Sequence, residues 1–376
     1  MPSPSSRHCR ARNLAFVLAL FALSLPARAH VRWFAKFDII CPPRDPLQVL
    51  SSRLWQAFLV AAIGTTVVLA WIDHRLNRSA SLHALTQRAD VAVLPRAIAV
   101  LRWGLCAYWL MVALGLGQTV YLTPELSAPG WIAWAQLACA ACVLFQRTAW
   151  LAGIALLSFY AMAIADHGWF HLLDYPLFAA LGVILILTRW RVDHRTLLDL
   201  LRWSAAITLI WGGIEKFAYP QWSLPMMLDR PLLSLGVAPE TAMFMYGFSE
   251  IALSFGLLFF RAGSQVAAGL LLFVFAAAVL PFGWIDLVGH SGIIVALTLL
   301  VLTCPGRPLA LRCSIRHAGA HGALFAATLA AFGSAYTGLH AVYLDQKATA
   351  NLARARLAAP LATGTQPQSV TQRNPG

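Results

Sequence analysis

The chain has 376 residues, 59% of them hydrophobic and 11% charged, with a mean hydropathy of +0.68. A soluble globular chain carries about 25% charged residues, so this one cannot coat a water-facing surface and most of its exterior must meet lipid. The formal net charge of +13 comes almost entirely from arginines set between apolar runs; that placement orients a membrane protein, so the expected partner is the lipid bilayer and no nucleic acid is expected.

Residues 1–29 read as a secretory signal. Arg7, Arg10 and Arg12 precede a short apolar run, and Ala27-Arg28-Ala29 is a small-residue cleavage site. Cleavage there makes His30 the mature N-terminus, where a free amine beside an imidazole suits a copper ion. Residues 30–53 form a polar arm on the exported, periplasmic side. The seven cysteines are not a disulfide framework: Cys9 leaves with the signal, Cys106, Cys139 and Cys142 lie in apolar runs, and Cys304 and Cys313 sit in a basic loop. Cys41 alone faces the oxidising side, as a buried thiol or one open to exchange. Cys139 and Cys142 have redox spacing, but inside a span they read first as small packing residues.

Apolar runs follow at 55–72, 99–121, 131–146, 148–165, 172–188, 200–217, 241–260, 264–281, 285–303 and 322–343. Each approaches the ~17–25 residues of a spanning helix, and backbone in lipid must bond to itself. The expected fold class is therefore all-α: a polytopic membrane bundle of about ten helices. With the mature N-terminus outside, the inner connections carry Arg75, Arg78, Arg88, Arg96, Arg147, Arg189, Arg191, Arg195, Arg261, Arg307, Arg312 and Arg316, and the outer ones carry Arg230 alone apart from Lys216 at a helix end. A miscounted span would destroy that bias. It places the protein in a bacterial inner membrane. The first span is expected over 54–73 and the last over 321–344, and the Ala-, Thr-, Gln- and Pro-rich tail over 345–376 is expected to be disordered.

An internal repeat organises the middle. Leu101-Arg102-Trp103 returns as Leu201-Arg202-Trp203, and Gly168-Trp169 through Thr188 matches Gly283-Trp284 through Thr303 without a gap. Arg147 and Arg261 close corresponding helices, which sets Gln136 against Glu250. Two four-helix units result, 97–190 and 198–304, in parallel orientation because four is even. The copies differ in their ionisable residues. Copy two has Glu215-Lys216 where copy one has Gly115-Leu116; copy one has His171 and Asp174, three apart, and copy two has Asp286 and His290, four apart, each pair expected on one helical face.

The run RWSAAITLIWGGIEKF, then SEIALSFGLLFFRAG, then GHSGIIVALTLLVL resembles the DoxX family of small four-helix bacterial membrane proteins. Arg202, Gly213, Lys216, Glu250 and Gly256 carry the resemblance, which covers copy two well and copy one weakly. It implies a subunit linked to quinone or thiol redox chemistry, working with a redox partner protein. The duplication, the arm and the last helix depart from that pattern.

Glu250 lies about 15 Å into its helix, near the bilayer midplane. Lys216 lies near the outer interface, where it can snorkel, so the two need not be partners and a direct pair requires a tilted helix or intervening polar groups. Both are candidate catalytic residues. His171, Asp174, Asp286 and His290 are candidate cofactor-binding residues: facing one another across a pseudo-twofold axis, they suit a transition metal, or two His a haem, or a quinone. The spacing lacks the specificity of a metal motif, and interhelical hydrogen bonding is the first alternative. Trp131, Trp134, Trp169, Trp222 and Trp284 read as an interfacial aromatic belt. Three functions stay open: a membrane redox subunit, a small-solute or ion transporter rocking about Glu250, and a scaffold with no chemistry of its own.

Overall fold

Long apolar runs with few breakers fold as helices because lipid offers the backbone no hydrogen bonds, and the computed structural model is an all-α bundle. It describes Trp33 and residues 40–78, 80–190, 192–234, 236–303 and 318–362. The signal segment and His30 lie outside these residues. The helices are α1 (Pro46–Ser51), α2 (Arg53–Asn77), α3 (Ala80–Gly115), α4 (Trp131–Leu144), α5 (Ala149–His167), α6 (Trp169–Leu172), α7 (Pro176–Leu187), α8 (His194–Ala218), α9 (Pro220–Asp229), α10 (Pro239–Phe259), α11 (Gly263–Phe282), α12 (Trp284–Leu302) and α13 (Ala318–Ala362). Among them, 8 are long and apolar enough to cross a membrane, and two shorter apolar helices, Trp131–Leu144 and Pro176–Trp190, occupy the remaining expected spans. Large apolar side chains cover the outside, including Leu280 at 89% exposure, Trp134 at 75% and Val60 at 70%, as a lipid-facing surface requires.

The packing order is the same in both halves. In the first, α3 packs on α4, α4 on α5 and α5 on α7; in the second, α8 packs on α10, α10 on α11 and α11 on α12. The halves join twice in the same manner, α7 against α8 and α12 against α3. The eight helices thus close into a ring. Both Gly-Trp pairs play one structural part: Gly168 (φ +91°) and Gly283 (φ +73°) break the chain between the third and fourth helices. Each amide donates to the carbonyl four residues back, Gly168 to Ile164 at 2.9 Å and Gly283 to Val279 at 2.7 Å. Such backbone angles strain any residue with a Cβ.

Helices α2 and α13 pack on each other and on the second half. Asp73 of α2 reaches across to the start of α11, accepting from Arg261 N at 3.1 Å and Gly263 N at 2.7 Å. A carboxylate there satisfies amides that have no partner within their own helix. Arg230, the exception to the charge bias, donates to Pro281 O at 2.5 Å and stacks on Phe282, closing the other end of α11. Two expectations are corrected. The last helix does not stop at 344 but runs to Ala362, because the sequence from 345 to 362 is rich in Ala and Leu with two Arg, strong helix formers; only residues 363–376 of the expected disordered tail lie outside the described residues. Trp222 is not a belt residue: it is 5% exposed and stacks on Tyr219 with ring centroids 3.9 Å apart.

Candidate functional site

The site begins where α8 crosses α10. Gly213 and Gly247 let the backbones approach: a Cβ on Gly213 would lie 3.2 Å from Gly247 O, and one on Gly247 3.3 Å from Gly213 O. Side chains on a helix lean towards its N-terminus. The helices are antiparallel, so Lys216 on α8 leans towards the bundle middle while Glu250 on α10 leans back towards it. Lys216 Nζ meets Glu250 Oε2 at 2.5 Å and also donates to Gly212 O at 3.2 Å. The expectation that Lys216 snorkels to water, apart from Glu250, is therefore corrected. The end of α8 is not a water-facing rim, because α9 folds over it with Trp222, Met226 and Met227 buried, and Lys216 finds its nearest polar partner inward. The side chains are 12% and 17% exposed.

That remaining exposure opens onto a cavity of about 70 Å³. At 10–15 Å³ per water it has room for about five waters. Its wall is built by α8 (Thr208, Leu209, Gly212, Glu215, Lys216), Glu250 of α10, Phe275 of α11, Gly289, His290 and Ile293 of α12, and Asp174, Tyr175, Leu177 and Phe178 from the other half. The cavity thus sits at the seam of the two halves. Trp33 of the arm also lines it, 4.5 Å from the His290 ring between centroids. Gly289 makes that seat: a Cβ there would lie 2.1 Å from the Trp33 ring. Carboxylates on the wall (Asp174, Glu215, Glu250) outnumber the ammonium of Lys216, and four aromatic rings supply flat apolar surface.

The four helix-end residues do not gather. Asp286 and His290 share a face of α12 as expected, with Asp286 Oδ1 3.0 Å from His290 Nδ1 and Asp286 fully buried. His171 and Asp174 do not share a helical face. Pro176 starts α7, and a residue before proline avoids the helical region, so the chain turns between α6 and α7 at Asp174 and Tyr175. His171 then pairs with Glu125, Nε2 to Oε1 at 2.7 Å, and the Tyr175 hydroxyl donates to the same oxygen. Asp174 and His290 reach the cavity wall; His171 and Asp286 are not part of it. Among the described residues no group of three or more His, Cys, Asp or Glu is placed to hold a metal ion, so the expected four-residue metal site is not assembled.

Glu125, Tyr175 and Glu215 were not foreseen as site residues. Glu125 belongs to the connection between α3 and α4, which folds back into the bundle: Val120, Tyr121, Leu122, Thr123 and Leu126 are all at most 1% exposed. The apolar triplet Val-Tyr-Leu was the available signal. Cys139 is buried and Cys142 half-buried in α4, and both are free thiols; Cys41 is exposed. No protein-family model, curated protein or solved structure matches the chain.

Proposed function

We propose that this is a DoxX-like inner-membrane protein, exported by a cleaved N-terminal signal with its mature N-terminus in the periplasm, whose seam cavity receives the head group of a quinone. The observation that carries this reading is the Lys216–Glu250 pair opening, opposite His290, onto a cavity walled by Trp33, Tyr175, Phe178 and Phe275. Flat aromatic walls suit a planar ring. An ammonium and an imidazole are the donors that ring oxygens need, and a carboxylate beside them can take or return a proton. A bound quinone supplies two-electron chemistry, with electrons passed to or from a partner protein. Lys216 and His290 orient the ring oxygens, Glu250 offers a proton acceptor within reach, and the apolar walls exclude bulk water. With Trp33 seated, about 70 Å³ does not admit a ring, so entry requires Trp33 to leave.

The test is titration of a short-chain soluble quinone into purified protein in nanodiscs, followed by calorimetry. Saturable binding that is lost in Glu250→Gln and His290→Ala, with helical content unchanged, is the expected result. Binding equal in both variants and the parent would sink the reading.

The position of the cavity at the seam favours one other reading, a transporter in which the halves rock about it. Proteoliposomes that move protons or a small solute without binding quinone would select that reading. A protein that does neither would be a scaffold.

A further inference from the structure

We propose that Tyr175, Glu125, His171 and His167 form a proton path from the cavity to the arginine-poor surface of the bundle. The proposal rests on the cavity being a site of proton-coupled chemistry, as the preceding reading has it.

The path starts at Tyr175, which lines the cavity and whose hydroxyl donates to Glu125 Oε1. His171 Nε2 lies 2.7 Å from the same oxygen. All three groups are buried: the Glu125 side chain is 2% exposed, His171 3% and Tyr175 5%. Bringing a carboxylate into such a place costs free energy that a structural role would not require, since an amide would bond the same two groups. The fold holds it there deliberately. Tyr108 Oη donates to Leu122 O at 2.8 Å, Gln136 Nε2 donates to Val120 O at 2.6 Å, and Val120 bridges Ser127, all pinning the segment that carries Glu125. Beyond His171 stands His167, rings perpendicular and 6.1 Å between centroids. One bridging water covers that separation. His167 is only half-buried, its Nε2 3.0 Å from Ser127 O, and so meets the surface.

A proton taken up by the Tyr175 oxygen releases the phenol proton to Glu125. Glu125, resting as the neutral acid, takes it on Oε1 as its own proton passes to His171 Nε2, and the imidazolium loses its Nδ1 proton through the bridge to His167. One proton enters, one leaves, and no electron moves. The groups facing the path are Asp174, Glu215, Lys216, Glu250 and His290 at the cavity and the Tyr121–Asp166 pair beside His167.

A stopped-flow pH jump tests it on the full chain in nanodiscs. Protonated His290 quenches the Trp33 ring tilted against it, 4.5 Å away between centroids, and a Trp33→Phe control subtracts the other tryptophans. In Glu125→Gln and Tyr175→Phe the relaxation should slow by roughly a hundredfold, the scale of a lost proton-transfer group, with amplitude and melting temperature kept. His167→Ala should slow similarly and be rescued by imidazole in the buffer, which a structural role would not permit. Unchanged rates in folded Glu125→Gln and Tyr175→Phe overturn the path, as does a parent protein with no pH-linked amplitude between about pH 4 and 9. Slowed relaxation without quinone binding keeps the path and removes the quinone; quinone binding with unchanged rates does the reverse.

Discussion

The two four-helix halves share a packing order and a left-handed glycine at the same break, yet they use corresponding positions oppositely. In the first half Gln136 is fully buried and donates to Val120 O and Tyr121 O, fastening the α3–α4 connection over the helix ends. In the second half the corresponding Glu250 bonds Lys216 and faces open space. A neutral amide closes one half and an ion pair opens the other. The helix crossings differ too. The first half has a tight glycine crossing between α5 and α7, where a Cβ on Gly153 would lie 2.6 Å from Gly182 O; the second has one between α8 and α10, at Gly213 and Gly247, one turn from the ion pair. The lesson is that a duplicated bundle can keep its scaffold while one copy seals and the other retains a reactive interior.

The sharpest way to break this contrast is to remove one charge. Lys216→Met leaves Glu250 without its cation; breaking a buried pair costs ~3–5 kcal/mol, and the partial exposure of these two side chains lowers this to about 2–3 kcal/mol. Thermal unfolding in detergent should show that loss, and Lys216→Met/Glu250→Gln should recover part of it. Next comes Gly153→Ala, which drives a methyl into a backbone carbonyl and should cost about 1–3 kcal/mol by the same assay, without touching the cavity. Gln136→Ala orphans two carbonyls and should cost about 1–2 kcal/mol, while leaving ligand binding in the second half unchanged. If Gln136→Ala altered binding as much as Glu250→Gln, the halves would not be functionally distinct.

The smallest effect is a pH dependence. Burial, and then the hydrogen bond to Asp166 at 2.6 Å, push the Tyr121 phenol from 10.0 up to about 12. A phenol held neutral in the fold stabilises it fully below pH 10.0 and loses that contribution as pH rises through about 12. Tyr121→Phe should therefore be less stable than the parent by about 1 kcal/mol below pH 10, with the gap shrinking above it. Phenolate absorbance tracks the same group directly.

Much of the fold was legible in the sequence because its signals are long. Apolar runs, arginine bias and the two Gly-Trp pairs each extend over many residues, and helix positions follow them closely except at the start of α3, which begins at Ala80, and the end of α13, which runs to Ala362. The site was legible only in its residue types. Glu250 and His290 stood out as ionisable groups in apolar surroundings, and both reach the cavity. The partner of Lys216 was missed because distance along a helix says nothing of a long side chain's direction, nor of α9 covering the helix end. Glu125 was missed because a connection reads as solvent-exposed, and only tertiary contacts from Tyr108 and Gln136 bury it. The separation of His171 from Asp174 turned on one proline whose effect on the preceding backbone outweighed helical spacing.

The bond between Asp73 and the start of α11 has a consequence in time. Asp73 leaves the ribosome early, but the amide of Gly263 that it binds lies 190 residues later. At about 5–20 residues per second, the carboxylate waits roughly 10–40 s for its donor. For most of that interval α2 lacks α10, and for all of it α13. A chaperone or insertase holding the first span would find its natural release signal in the arrival of α11, so the last half made is the one that completes the first helix.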